Sequence, residues 1–266
     1  MTSLPPEPEL VFSERAGLPF LVEHWYLGPR ACRYMMVRRF REVLECADLA
    51  AGQRALDLGC GWAYGTLWAR RLGAHLAGID LGMDQLRWAH ASLPGGDDLG
   101  LTCANAKALP FRDATFDRAF SVEMMEHVFR PDRPRVFDEI ARVVKPGGRV
   151  AISTPNPDSP IEMVKRLAVR WPALRRNLPS SCFPESADDR ATYHPYRYHH
   201  PLTVETLRGS LDRAGFEVLG ARTFLWVLKT TPDALVATGR VMERIAEHTP
   251  VADRLGATIL IWARRR

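Results

Sequence analysis

Residues 54–65 read Arg54-Ala55-Leu56-Asp57-Leu58-Gly59-Cys60-Gly61-Trp62-Ala63-Tyr64-Gly65. A short apolar run ends in two glycines one residue apart, and a segment of helical periodicity follows at once. That order predicts a strand, a tight turn and a helix. Glycines let the backbone approach a ligand closely. The start of the next helix offers unpaired N–H groups and the positive end of its dipole. Taken alone, this loop specifies only a nucleotide-like ligand, because dinucleotide- and phosphate-binding folds use the same device.

The same rhythm continues on the C-terminal side. Residues 65–72 predict a helix stopped by Gly73, 75–79 a strand ending at Asp80, and 83–91 a second helix. Strands follow at 99–104 and 116–122, then a helix at 133–144. The turn Pro146-Gly147-Gly148 leads into a strand at 149–153. Strands alternating with helices of about ten residues require right-handed crossovers and a parallel sheet covered on both faces. Ligands of such sheets bind beyond the carboxyl ends of the strands, so the residues just after each strand are the functional candidates.

Before the loop, residues 31–49 predict a helix with Tyr34, Val37, Phe40, Arg41 and Leu44 along its inner stripe. The segment 1–30 reads as a disordered lead-in followed by a lid, with no secretory signal. After the fifth strand, residues 155–202 interrupt the rhythm and predict a cap with one helix at 161–169. Thr203 then caps a helix over 203–214 that Gly215 ends. A sixth strand at 216–221, a second excursion at 224–256 with a helix near 233–247, and a last strand at 257–263 complete the chain. The domain proper is expected over 31–266, with the two excursions as cap insertions.

Three features narrow the ligand. The dinucleotide fingerprint places Gly or Ala three residues after the second glycine, where this chain has Tyr64. Asp57 lies two residues before Gly59, where it can reach the ammonium of an amino-acid tail. Asp80 stands at the spacing where a carboxylate accepts both hydroxyls of a ribose. Further candidates then follow each later strand: Asn105-Ala106, Glu126-His127 and Pro146-Gly147-Gly148.

The stretches ALDLGCGWAYGT, GIDLGMDQLRWA, ANAKALPFRDATFD, FSVEMMEHV and KPGGRVAIST resemble the successive motifs of class I S-adenosylmethionine-dependent methyltransferases, nearest the ubiquinone/menaquinone-biosynthesis type. The resemblance is strong over 50–155 and weaker over 195–223 and 257–264. It implies a Rossmann-like, doubly wound α/β fold, with a mostly parallel seven-stranded sheet whose last strand is antiparallel. It also implies S-adenosyl-L-methionine as cofactor. On this likeness Gly59, Cys60 and Gly61 underlie the methionine tail, with Val122 at the end of strand four beside them. Asp80 binds the ribose, with Leu81 beside the adenine and Asn105-Ala106 at its edge. The family usually carries Asp where this chain has Asn105; the amide oxygen still offers adenine's amino group an acceptor. Trp25, Tyr26 and Arg33 fall where related enzymes close an N-terminal helix over the cofactor, and Arg33 could pair the methionine carboxylate.

Methyl transfer from a sulfonium needs alignment, exclusion of water and, for a protonated acceptor, a base. Histidine suits that last task near neutral pH. His127, His199 and His200 are therefore the base or acceptor-orienting candidates, against a purely structural reading of each. Phe183, Tyr193, Tyr196, Tyr198 and residues 224–228 offer apolar walls for a small hydrophobic or aromatic acceptor, with oxygen slightly favoured as the accepting atom.

The net charge of +5 permits a nucleic-acid substrate, but no appended RNA-binding module and no Asn/Asp-Pro-Pro-aromatic motif is found. A non-catalytic cofactor-binding protein on the same fold is the other alternative, and an NAD enzyme is disfavoured by Tyr64 and Asp57. The five scattered cysteines suit free thiols in a reducing cytoplasm. No metal and no membrane span is expected, and the choice between monomer and homodimer stays open.

Overall fold

The computed structural model describes residues 4–12, 18–160, 162–163, 194, 198–227, 229, 231–249 and 252–266. The opening stretch folds as strand β1 (Arg54–Leu58), the glycine turn, and helix α2 (Tyr64–Arg70). Ahead of it runs α1 (Arg30–Ala47). After it come β2 (His75–Asp80), α3 (Met83–Ser92), β3 (Leu101–Cys103), β4 (Phe116–Val122), α4 (Arg133–Val143) and β5 (Val144–Pro155). Then follow α5 (Val204–Arg213), β6 (Phe216–Phe224), α6 (Val236–Ala246), the short α7 (Ala252–Leu255) and β7 (Thr258–Arg265).

The strands form one seven-stranded sheet in the order β3-β2-β1-β4-β5-β7-β6. β1 pairs in parallel with β2 and β4, and β4 with β5, while β7 runs antiparallel to both β5 and β6. This is the Rossmann-like α/β sheet expected. The order reverses at β1/β4, so the carboxyl ends of these two strands form the crevice where ligands bind in such sheets. The central strands are buried on both faces, which is why β1 reads as apolar sequence apart from Asp57 and the exposed Arg54 at its start.

Several boundaries differ from expectation. β3 begins only after Gly100, whose φ of 63° bends the chain into the strand. β6 runs on to Phe224 because its register with β7 holds as far as Phe224 opposite Thr258. On α1 the buried face is Met35, Met36, Val43 and Leu44 together with Val37, while Arg41 is exposed. Two polar residues, Arg38 and Glu42, hid that face by sitting beside it and pairing with each other at 2.6 Å. Thr203 caps α5 as read, accepting the Thr206 N–H at 3.1 Å, and Gly215 follows with φ 86°.

The lead-in also differs. Residues 4–12 are not a free tail but lie along α2, tied by their carbonyls. Trp68 Nε1 donates to Pro5 O at 3.0 Å, Tyr26 Oη to Pro8 O at 3.2 Å, and Arg71 to Pro6 O at 3.2 Å. Prolines leave carbonyls without competing N–H donors, and a proline-rich extended segment is a ready acceptor for indole and phenol groups. The cap helix expected over 161–169, together with Phe183, Tyr193 and Tyr196, lies outside the described residues.

Candidate active site

The glycine turn stands at the carboxyl end of β1. Gly59 and Gly61 adopt φ of 75° and 52°, the left-handed region that side chains disfavour. A Cβ on Gly59 would meet Met124 Cγ at 2.4 Å, so the β4 end packs directly on the turn. One on Gly61 would lie 3.3 Å from Gln85 Oε1 and 3.5 Å from Leu21 Cδ1. The N–H groups of Gly59 and Cys60 both donate to Ile79 O, at 2.8 and 2.9 Å, which fixes the turn to β2.

Asp57 is buried beneath the turn, and Thr66 Oγ1 donates to it at 2.7 Å. Burial pushes its carboxyl up to about 7, which the Thr66 hydrogen bond only partly offsets. Asp80 holds the loop from the other side: Gly61 N–H reaches one carboxylate oxygen at 2.8 Å and Gly82 N–H the other at 2.7 Å. A carboxylate oxygen has acceptor capacity for more than one hydrogen bond, the chemistry a pair of ribose hydroxyls requires. Leu81 is exposed beside it. Asn105 is also exposed, with its amide oxygen accepting Lys107 N–H at 3.0 Å. Cys60 is buried, and desolvation raises its thiol well above the ordinary value, which argues for a backbone role rather than a nucleophile.

A π-helical turn over Val22–Tyr26 lies against this loop. The Tyr26 ring sits 5.8 Å from that of Trp62 and 5.7 Å from that of Tyr64, with Arg33 over its face at 4.4 Å. Its hydroxyl also meets Leu10 N–H at 2.6 Å and Arg33 Nη2 at 3.3 Å. Tyr26 thus ties lead-in, lid turn and α1 together at one oxygen. Arg33 is engaged with Tyr26, which places it at the lid.

At the end of β4 the chain turns through Glu123, at φ 54°, into a 3-10 turn over Met125–His127. Glu123 accepts Ser153 Oγ at 3.1 Å and pairs with Arg39 at 3.2 Å; burial nonetheless pushes its carboxyl up to about 7. Arg39 comes from α1, donates to Thr258 Oγ1 at 3.1 Å, and lies 5.6 Å from the Trp25 ring. Glu126 is fully buried, accepts Thr154 Oγ1 at 3.0 Å, and is likewise pushed up to about 7 by desolvation.

The three histidine candidates come together over Glu126. His127 Nδ1 lies 2.7 Å from Tyr198 O, a carbonyl that can only accept, so Nδ1 carries the proton. Its Nε2 then has a lone pair when neutral and lies 4.0 Å from Glu126 Oε1. The His199 ring is 5.4 Å from that of His127, and His200 N–H donates to Glu126 O at 2.8 Å. Arg133 holds the loop by donating to His200 O at 2.5 Å.

Sequence reading missed Thr66, Gln85, Arg39, Glu123, Ser153 and Thr154. Polar residues inside strands or on helix faces carry no local spacing signal. Only Glu123 and Glu126, flanking Met124 and Met125, hinted at themselves as carboxylates where core was due.

The cradle fits a nucleoside with an amino-acid tail. Two glycines leave room that a side chain would fill, and Gln85 Oε1, beside Gly61, is a buried acceptor with no hydrogen-bond partner among the described residues. Residues 56–152 match the family model described as a methyltransferase domain. Gly59–Gly61 and Asp80 lie within that stretch, so over residues 56–152 the chain is similar to a methyltransferase domain.

Among relatives, the chain is 38% identical over 120 residues to methyltransferase GfsG of Streptomyces halstedii, covering 44% of this chain and 42% of that one. It is 38% identical over 123 residues to a ubiquinone biosynthesis O-methyltransferase of Vibrio cholerae, covering 44% and 48%. The chain spans about half the length of the curated relatives it matches. Among solved structures, an S-adenosylmethionine-dependent methyltransferase from Mesorhizobium loti superimposes with a TM-score of 0.55 at 25% identity, over 85% of this chain and 97% of that one.

Proposed function

We propose that this protein transfers the methyl group of S-adenosylmethionine to an oxygen of a small apolar or aromatic metabolite. The observation that carries the reading is the Gly59–Gly61 cradle closed by Asp80, with a buried acceptor on Gln85 beside it that has no partner among the described residues. Similarity to a Vibrio cholerae O-methyltransferase and to O-methyltransferase rstn1 of Aspergillus nomiae supports oxygen as the accepting atom.

In this reading Asp80 holds the ribose, and Leu81, Asn105 and Ala106 flank the adenine. Gly59, Cys60 and Gly61 bear the methionine tail, with Asp57 beneath it and Val122 at its side. The donor supplies an electrophilic methyl on a sulfonium. Tyr26 and Arg33 keep the lid turn on the loop and exclude water. His127 and His199, at the outer rim, orient the acceptor, and His200 anchors their loop to Glu126.

Calorimetry with S-adenosylmethionine and S-adenosylhomocysteine tests the donor site, with NAD as control. Saturation at about 100 Kd stabilises the fold by about 2.7 kcal/mol, a shift of several degrees in Tm. Transfer of labelled methyl to a panel of phenols and catechols tests the acceptor class. A folded sample that binds neither donor nor product overturns the reading. Transfer to RNA instead of phenols would move it to a nucleic-acid substrate.

A further inference from the structure

We propose that Glu123, rather than a histidine, takes the proton from the acceptor hydroxyl during methyl transfer. The inference rests on the methyltransferase reading above and names the base within it.

Four observations place Glu123 in that role. It is the first residue beyond β4, and the next residue, Met124, packs on the Gly59 turn. It therefore stands at the strand end next to the donor cradle, four residues ahead of His127. Its side chain keeps 17% exposure, whereas that of Glu126 keeps 1%, so of the two carboxyls only Glu123 can meet a substrate. Its two oxygens are each held, by Ser153 and by Arg39, which fixes the carboxylate without using all of its lone pairs. Finally, His127 lies four residues farther on, in the loop that Arg133 and Glu126 anchor, with Nδ1 on Tyr198 O and Nε2 4.0 Å from Glu126 Oε1, so its ring is oriented by that loop.

Arg39 completes the device. Its guanidinium favours the ionised carboxylate, and burial opposes it; the result is a carboxyl near 7, matched to proton transfer at neutral pH. Because Arg39 belongs to α1 and lies against Trp25, the base is aligned by the same N-terminal region that covers the cradle.

The step balances. The acceptor oxygen bonds to the methyl carbon as the carbon–sulfur bond breaks, and that bonding pair remains on sulfur. The hydroxyl proton passes to a Glu123 oxygen. Sulfonium and carboxylate both end neutral, so the charge pair collapses along the reaction, and the proton later leaves to water.

Glu123→Gln keeps the shape and removes the base, and Glu123→Asp keeps the carboxylate one methylene short. With the phenol or catechol found above, Glu123→Gln is expected to lower kcat by about 10²–10³-fold, within the usual range for loss of a general base. Donor affinity by calorimetry should stay within about threefold of the parent. The parent rate should rise with pH through about 7 and then level, and this limb should vanish in Glu123→Gln and persist, at reduced rate, in Glu123→Asp and His127→Ala. Independently of turnover, carbon-13 NMR of glutamate-labelled apo protein should show two carboxyls titrating near 7, from Glu123 and Glu126, of which one disappears in Glu123→Gln. A Glu123→Gln protein within threefold of parental kcat, or one retaining the same pH limb, overturns the assignment. Absence of donor binding in the parent would instead sink the methyltransferase reading, so the two failures are distinct.

Discussion

Replacing Gly59 by alanine probes how tightly the cradle is built. Two costs follow from the geometry. At φ 75° a Cβ meets its own backbone, which disfavours any non-glycine residue by about 1–2 kcal/mol. The new methyl would also stand 2.4 Å from Met124 Cγ and 2.7 Å from Met124 Cβ. A long side chain can swing its tip away, but Cβ moves only with the backbone, so β4 and the turn must separate. Overpacking of this kind costs about 1–3 kcal/mol. Gly59→Ala should therefore lose about 2–5 kcal/mol in denaturant unfolding at unchanged m-value. The second term belongs to the pair. In a Met124→Gly background both the Cγ and the Cβ are gone, so Gly59→Ala should cost only about 1–2 kcal/mol. The double-mutant cycle should thus give a coupling of about 1–3 kcal/mol. Calorimetry on the same four proteins should show donor affinity falling in Gly59→Ala and partly returning in the double variant. A Gly59→Ala protein within about 0.5 kcal/mol of the parent, or a coupling near zero, would refute the packing of β4 on the turn.

Other consequences can be checked on the same footing. Asp57 and Glu126 have carboxyls raised to about 7, above their ordinary values, so their protonated forms are favoured by folding. That contribution is full at acid pH and is lost as pH rises through about 7. Asp57→Asn should therefore lose less stability than the parent between pH 5 and pH 8 in urea midpoints; equal losses would contradict a buried, raised Asp57. Asp80→Ala removes the acceptor of two loop N–H groups, so donor binding should fall by at least tenfold and Tm should drop by a few degrees. Tyr26→Phe deletes one hydroxyl that serves Leu10, Pro8 and Arg33, and should cost about 1–2 kcal/mol and speed proteolysis of the lead-in. Thr203→Ala, at the cap of α5, should cost about 1 kcal/mol without touching donor affinity.

Much of the fold could be read from the chain because its signals are local. β1, the glycine turn and α2 follow from one continuous stretch, residues 54–70, and Thr203 with Gly215 delimits α5 by capping chemistry alone. Asp80 could be placed because one crossover puts the end of β2 beside the end of β1. The inner face of α1 was harder to read. Its charged residues face partners on distant elements, so Arg38 and Glu42 sit where periodicity asks for apolar groups. The lead-in was misread because its composition is that of a disordered tail, while its anchors, Trp68 and Tyr26, lie far along the chain.

The sequence by itself determined the parallel sheet, the carboxyl ends of its strands as the place of function, and a loop suited to a nucleoside with an amino-acid tail. Spacing of glycines, acids and apolar runs is enough for that, because each element is specified within its own segment. Tertiary structure alone decided which acid beyond β4 is held by Ser153 and Arg39, and through which tautomer His127 is held. It also decided what covers the loop. Arg39 meets Glu123, His127 meets the Tyr198 carbonyl and Tyr26 meets Pro8 only once the sheet has assembled. Such contacts depend on the burial and orientation of groups from separate elements, and no periodicity along the chain encodes them.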